Sequence, residues 1–141
     1  MMADPRRCVP LANYGVTEGS CACGCGARMG EDIALALQAF ITILRRTYGA
    51  PIRHLITSGA RCKAHNAEVG GSPTSQHLEG KACDGVFQQR LENHWLPLDL
   101  LDVGQLARKS GLFGGIGYLE YLRHGKHFIH LDVRGGSTVV W

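Results

Sequence analysis

The chain has 141 residues, a length that suits one domain with one hydrophobic core. Hydrophobic residues make up 45% and charged residues 19%, a composition that excludes an intrinsically disordered chain. The net charge of +3 is too small to indicate a nucleic-acid partner. No apolar segment of secretory type follows the basic residues near the N-terminus, and the apolar stretch 33–44 is too short to span a membrane. We therefore expect synthesis in the cytoplasm and no stable membrane association.

Residues 1–29 are predicted to be an irregular segment rich in glycine and cysteine. Cysteines of a cytoplasmic protein start as thiols. Zinc ribbons pair cysteines two to four residues apart, so the one-residue gaps between Cys21, Cys23 and Cys25 argue against a ribbon. We interpret the segment as a buried or partly oxidised loop, and a disulfide to Cys62 or Cys83 stays open.

The first regular element is a helix predicted over residues 30–48, where apolar residues recur at helical spacing. Glu31 and Asp32 favour its N-terminus, and Gly49 with Pro51 ends it. The elements predicted to follow are a strand over 52–57, a turn, a short helix over 63–69 and a polar loop over 72–80.

The second half of the chain is predicted to contain mostly strands. The predicted elements are strands over 82–87, 114–122 and 126–133, a helix over about 98–110, and a last strand that pairs back after a hairpin turn at 134–137. Helices first and an antiparallel meander last predict a single α+β domain over 1–141. His54 is interpreted as structural, and His94 and Trp95 as part of a packed loop.

His77 and Asp84 lie on either side of Gly80, where a polar loop leads into a strand. A catalytic zinc site needs three protein ligands and one open position, and histidine and aspartate are suitable donors. Strand alternation in HFIHLDV places His130 and Asp132 on one face, so this strand can supply the third ligand. A histidine beside a carboxylate is also common as a plain hydrogen-bonded pair, and spacing alone leaves both interpretations open.

Several separated motifs resemble the M15 metallopeptidase family in the family's own order. The pattern SxHxxGxAxD is matched by Ser75, His77, Gly80, Ala82 and Asp84, the later HxD by His130 and Asp132, and the upstream SGxR and HN elements by Ser58, Gly59, Arg61, His65 and Asn66. The resemblance covers about residues 30–141. The family includes zinc D-alanyl-D-alanine carboxypeptidases and phage L-alanyl-D-glutamate endopeptidases, and its fold is akin to the hedgehog signalling domain.

The resemblance implies one catalytic Zn²⁺ ion, held by His77, Asp84 and His130. It implies that Arg61 stabilises the oxyanion of the tetrahedral intermediate and that Ser75 hydrogen-bonds substrate. The alternative for Arg61 is a plain salt bridge to a loop carboxylate. The implied partner is the peptide stem of bacterial peptidoglycan, which the enzyme would cut by zinc-assisted amide hydrolysis.

The general base departs from the family pattern, in which several branches place a glutamate three residues before the last zinc histidine. Here that position is His127, and histidine can act as a base near neutral pH. Alternation would turn His127 away from His130, so a bulge or a frayed strand start is required. Asp132 faces the site and is expected to orient a ligand or to take a proton. Glu120 and His124 are further candidates.

The resemblance also suggests a setting, namely a monomeric phage or prophage lysis enzyme that acts in the periplasm or cell wall after release. Carboxypeptidase and endopeptidase action both stay open. The alternatives are a non-enzymatic zinc-stabilised binding domain, a virion tail protein with the same fold, and a thiol peptidase that uses Cys62 or Cys83 with His77.

Overall fold

A computed structural model describes residues 19–141, which form an α+β fold with a mixed sheet of six strands and four helices. In chain order the elements are α1 (Glu31–Tyr48), β1 (Ile52–Ser58), α2 (Lys63–Glu68), a 3-10 helix (Gln76–Glu79), β2 (Ala82–Leu91), β3 (His94–Pro97), α3 (Leu100–Ser110), β4 (Gly115–Gly117), α4 (Leu119–Arg123), β5 (Ile129–Asp132) and β6 (Val139–Val140). The predicted α+β class is confirmed.

Helix α1 supplies one side of the hydrophobic core. Of the apolar positions that predicted it, Tyr48 in the last turn is partly buried and the others are fully buried, namely Ile33, Leu37, Phe40, Ile41 and Leu44. The ring of Phe40 meets Phe87 of β2 and Phe113 edge-on, with ring centroids 5.3 and 5.5 Å apart. Gly49 ends the helix in the left-handed conformation, at φ 61°, and its N–H donates to the Arg45 carbonyl. The apolar stripe read from the sequence is therefore the face that packs on the sheet.

Strand β2 is the centre of the sheet. One of its edges pairs antiparallel with β1 from Gln89 to Asp84. Its other edge pairs with β5 over its first four residues and with β3 over its last four. Asp84 therefore lies between Ser58 of β1 and His130 of β5.

The predicted C-terminal meander is partly wrong. The strand predicted over 114–122 ends at Gly117, and helix α4 follows it. The last strand does not form a hairpin with its predecessor; β6 pairs in parallel with β4. The reason is that β5 already lies between β2 and β4, so it has no edge left for β6. The sheet is consequently mixed rather than purely antiparallel.

The loop predicted around His94 and Trp95 is also a strand. Leu91 pairs with His94 across a two-residue turn in which Glu92 has a positive φ of 56°. The guanidinium of Arg53 lies 4.4 Å from the Trp95 ring, a cation–π contact between β1 and β3. This hairpin extends the sheet away from the end that carries Asp84.

Residues 19–29 contain no helix or strand, yet backbone hydrogen bonds attach them to the rest of the fold. The Gly19 carbonyl accepts from the Ala60 N–H at 2.7 Å, and the Gly30 N–H donates to the Gly80 carbonyl at 2.7 Å. Residues 1–18, which include Cys8, lie outside the described residues. The irregular segment therefore packs against the two loops that precede α2 and β2.

His54 of β1 is buried, as its structural interpretation predicts, and its ring stacks on Phe87 at a centroid distance of 4.0 Å. Burial lowers the pKa of His54 to about 3, because the sheet replaces the water that would solvate an imidazolium. The negative charge of Asp84 opposes this shift without cancelling it. The folded protein thus keeps His54 neutral in a pH range where the unfolded chain protonates it.

We expect His54→Phe to make the protein less sensitive to acid. A folded-state pKa below the ordinary 6.5 gives stability that is complete above pH 6.5 and is lost as the pH falls from there toward 3. The free energy of unfolding of the wild type should therefore fall relative to the variant by up to ~1.4 kcal/mol per pH unit.

The measurement is urea unfolding with a chelator present, between about pH 7.5 and 4.5. The exposed His94→Phe is the matched control and should keep the wild-type slope. Parallel pH profiles for wild type and His54→Phe would show that the buried imidazole is not the acid-sensitive group.

Candidate metal centre

Three side chains from three separate segments converge at one end of the sheet. His77 comes from the 3-10 helix, Asp84 from β2 and His130 from β5, and their candidate ligand atoms all lie within 4.8 Å of one another. The Nε2 atom of His77 is 3.2 Å from Asp84 Oδ2, and the Nδ1 atom of His130 is 2.8 Å from Asp84 Oδ1. The structure therefore brings the three predicted metal ligands together, with both imidazoles close to the Asp84 carboxylate.

Strand register places two of these side chains. Asp84 and His130 are directly opposite each other in the antiparallel pair of β2 and β5, so their side chains lie on the same face of the sheet. Both elements lie inside the sheet, and this fixes their backbones.

A turn places the third side chain. The Ser75 hydroxyl caps the 3-10 helix by accepting from the His77 N–H, and Gly80 ends the helix in the left-handed conformation, at φ 67°. A Cβ on Gly80 would lie 2.9 Å from the Arg28 carbonyl oxygen, so the N-terminal segment also requires glycine there. The glycine between His77 and Asp84 is thus needed for both the turn and the packing.

The hydrogen bond on the far side of the His77 ring fixes its tautomer. Nδ1 lies 2.6 Å from the Gly59 carbonyl oxygen, which can only accept, so Nδ1 carries the proton and Nε2 presents a lone pair. That Nε2 atom is buried, has no hydrogen-bond partner among residues 19–141, and faces a carboxylate oxygen of Asp84. A lone pair and a carboxylate oxygen 3.2 Å apart can share a metal cation as ligands, so the residues present fit a metal ion.

The His130 ring is oriented by Asp132, two residues further along β5. Nε2 of His130 is 2.7 Å from Asp132 Oδ2, which leaves Nδ1 directed at Asp84. Asp132 is fully buried, and Arg134 holds it with Nε at 2.9 Å from Oδ1 and Nη2 at 2.6 Å from Oδ2. A carboxylate behind a histidine is the usual support of a metal-binding imidazole.

The charges of the cluster also favour a cation. Burial by itself would raise the pKa of Asp84, yet contacts with His130 and His77 lower it to about 2. The pKa of Asp132 is likewise lowered, because hydrogen bonds from His130 and Arg134 outweigh its burial. The pKa of His130 is raised by Asp132 and Asp84, against the effect of its own burial. Two carboxylates with lowered pKa values therefore lie against the His130 ring, and a divalent ion would compensate their charge.

Arg61 lies beside the cluster in a fixed position. Its Nε donates to Ser58 Oγ and its Nη1 to Asn66 Oδ1, both at 3.1 Å. Its Nη2 is 3.7 Å from Asp84 Oδ2. The carboxylate that Arg61 approaches is therefore that of Asp84 on β2, a candidate metal ligand, and not a carboxylate of a loop.

The other predicted site residues lie in different surroundings. Ser75 accepts a hydrogen bond from the His77 backbone, and Asp132 orients His130. His127 is exposed and lies in the coil that precedes β5, so strand alternation does not act on it. Glu120 and His124 are exposed at α4 and contact each other at 3.3 Å.

Three groups around the centre had no predicted role. The Gly59 carbonyl orients His77, Arg134 holds Asp132, and the Trp141 ring lies 5.1 Å from the His130 ring. Arg134 follows the HxD motif by two residues, which is the one local signal that could have identified it. A backbone carbonyl leaves no such signal, because every residue carries one.

The comparisons with known proteins gave a family match. The family model described as Peptidase M15 matches residues 12–132, which is most of the chain. None of the curated proteins matches the sequence. Among residues 19–141, every helix is too short or too polar to cross a membrane.

Proposed function

The chain belongs to the M15 peptidase family, and on that premise we propose that it is a zinc peptidase that hydrolyses amide bonds in the peptide stems of bacterial peptidoglycan. The observation that carries the proposal is the bare Nε2 of His77, which is buried opposite Asp84 with Nδ1 of His130 completing the ligand set. Two imidazoles and one carboxylate are a donor set that zinc uses in hydrolytic enzymes, with a fourth position left for water or substrate.

Zinc at this centre would acidify water and polarise the scissile carbonyl. Asp84, His77 and His130 would hold the ion, and the groups behind the two imidazoles keep the rings in place. The Gly59 carbonyl fixes the proton of His77 on Nδ1, and Asp132 directs Nδ1 of His130 inward. The metal ligands thus need little rearrangement on binding.

Arg61 is proposed to bind the oxyanion that develops on the substrate carbonyl. Ser58 and Asn66 hold its guanidinium in place beside the cluster, so it can stabilise negative charge without first being reorganised. Ser75 is proposed to contact the substrate through its hydroxyl hydrogen, since its oxygen already accepts from the His77 N–H.

His127 is the proposed general base. The family position for a glutamate base falls on it, and it lies outside β5, where a side chain can turn toward either face. Asp132 is the weaker candidate, because its lowered pKa and the bonds from Arg134 disfavour proton uptake. Its role in the proposal is to position His130.

The thiol-peptidase alternative has little support from the contacts of His77. Its two ring nitrogens face the Gly59 carbonyl and Asp84 rather than a thiol. Cys83 is fully buried in the hydrophobic core, and Cys62 lies against Cys21 and Cys23. The zinc-stabilised binding domain and the virion tail protein would share the metal centre. An assay with substrate separates the binding domain from the enzyme, and locating the protein in purified particles tests the virion alternative.

The biological setting rests on the resemblance to phage endopeptidases. We propose a monomeric lysis enzyme of a phage or prophage, made in the cytoplasm and active on the cell wall after release. Carboxypeptidase action would release a terminal D-alanine, whereas endopeptidase action would split the stem internally. Mass spectrometry of the fragments from a defined stem peptide distinguishes the two.

The first test of the proposal combines substrate and metal. Zinc-loaded protein should generate new free amino groups from purified peptidoglycan, a chelator should abolish them, and added zinc should restore them. Asp84→Ala should bind zinc more than about 100-fold more weakly, beyond the about 10–100-fold that loss of an orienting partner brings. Because binding is coupled to folding, that variant should also be less stable with zinc present.

The matched control is Asp102→Ala, which removes an exposed carboxylate from α3 and should leave zinc content and turnover unchanged. An inactive but zinc-replete wild type would favour the binding-domain alternative. Undiminished zinc in Asp84→Ala would refute the ligand set.

Arg61→Lys should lower kcat by about 10²–10³-fold with little change in KM. Lysine lacks the planar guanidinium, which can donate to Ser58 and Asn66 and to an oxyanion at the same time. Zinc content should not change. The control is Arg53→Lys on the Trp95 side of β1, which should keep full turnover. A rise in KM at constant kcat would instead assign Arg61 to ground-state substrate binding.

His127→Ala should keep its zinc while kcat falls by about 10²–10⁴-fold, the usual contribution of a general base. His94→Ala, an exposed histidine on β3, provides the comparison and should behave as wild type. Steady-state kinetics together with zinc content make the measurement. Normal turnover in His127→Ala would move the base to another group.

A further inference from the structure

Four cysteines from two distant parts of the chain converge about the loop that carries Arg61. Three lie in the N-terminal segment, at Cys21, Cys23 and Cys25, and the fourth is Cys62. The sulfur of Cys23 is 3.4 Å from that of Cys21 and 3.5 Å from that of Cys62, and the sulfurs of Cys21 and Cys62 are 3.9 Å apart. All four sulfurs lie within 4.8 Å of one another.

The distances decide between two chemistries. A disulfide joins sulfur atoms at about 2.0 Å, and all four cysteines are free thiols. Zinc–sulfur bonds of about 2.3 Å in a tetrahedron separate neighbouring sulfurs by about 3.8 Å. The observed separations are those of sulfurs around a common centre.

We propose that Cys21, Cys23, Cys25 and Cys62 bind one structural Zn²⁺ ion, separate from the centre at His77, Asp84 and His130. Four thiolates select zinc over the hard cations. Because all four positions of the tetrahedron are filled by protein, no site is left for water or substrate, and the ion has a structural role.

The backbone of the N-terminal segment explains how one-residue gaps can serve one ion. Gly24, between Cys23 and Cys25, and Gly26, directly after Cys25, have positive φ values of 80° and 90°, so the chain can turn after Cys23 and again after Cys25. The turn is closed by hydrogen bonds from the Cys21 N–H to the Ala27 carbonyl and from the Gly24 N–H to the Cys21 carbonyl. The site is not a zinc ribbon, because three of its cysteines come from one turn and the fourth, Cys62, from a distant loop.

Backbone N–H groups also point at the sulfurs. The Cys62 N–H lies 3.5 Å from Cys21 Sγ, and the His65 N–H lies 3.4 Å from Cys62 Sγ. Such donors stabilise negative charge on sulfur, the form that binds metal. Cys21 is buried while Cys23 and Cys25 are exposed, so an ion can enter from solvent.

The proposed ion would tie the N-terminal segment to the loop that supports the catalytic centre. The Ala60 N–H donates to the Gly19 carbonyl, and a Cβ on Gly59 would overlap the Gly19 backbone. In the same loop the Gly59 carbonyl orients His77, and the Arg61 N–H donates to the His77 carbonyl at 3.0 Å. Loss of the ion should therefore loosen the support of His77 and Arg61.

The test measures zinc directly in reduced, zinc-loaded protein after gel filtration. Elemental analysis of the wild type should find two zinc ions per chain, and zinc X-ray absorption should show sulfur at about 2.3 Å together with nitrogen or oxygen at about 2.0–2.1 Å. Cys25→Ser alters an exposed position and should lower the content to one zinc ion per chain. The X-ray absorption of this variant should no longer show zinc with four sulfur neighbours. Cys83→Ala removes a thiol of the hydrophobic core and should keep both ions.

The sulfur-bound zinc can be tested separately from the peptidase proposal, because each ion is identified by its own ligands. Asp84→Ala should retain the sulfur-bound zinc and lose the other ion, so failure of one site leaves the other measurable. Wild-type protein without sulfur-bound zinc would overturn the inference even if Cys25→Ser does not fold. A disulfide among these four cysteines in the intact mass, or iron in place of zinc, would overturn it as well.

Discussion

The Asp84 carboxylate in the middle of the sheet is the group on which the centre depends. A largely buried negative charge is costly unless positive charge or hydrogen bonds compensate it. Here His77, His130 and Arg61 surround it, and its pKa is lowered to about 2 despite its burial. Central strand β2 fixes its position, with Ser58 opposite on one side and His130 on the other. The fold thus holds a carboxylate that stays ionised, beside two imidazoles that can join it in binding a cation.

Each imidazole is held from behind by a different kind of support. His130 lies on β5, and its ring is hydrogen-bonded to Asp132, which Arg134 holds in place. His77 stands on a short 3-10 helix and depends on the Gly59 carbonyl. The second support consists of loops that are attached to the N-terminal segment. The cluster of four cysteines lies where these loops contact that segment, so an ion bound there would hold the loops and the segment together.

Sequence reasoning succeeded where the physical signal is local. Helical spacing predicted the buried face of α1, and strand alternation placed His130 and Asp132 on one face, where their side chains meet at 2.7 Å. It failed over 114–122 because a short apolar run fits a helix or a strand equally well. It also failed for β6, since the free edges of β5 depend on β2 and β4.

The fold class, the family and the chemical types of the candidate ligands could be predicted from the sequence, because periodicity, motif order and side-chain chemistry are properties of neighbouring residues. Which nitrogen of His77 faces Asp84 became apparent only from the folded chain, since a backbone carbonyl sets that tautomer. The folded chain also shows that Asp132 orients His130, and that Cys62 joins cysteines about forty positions earlier. Such contacts arise when the chain closes on itself, and no local spacing encodes them.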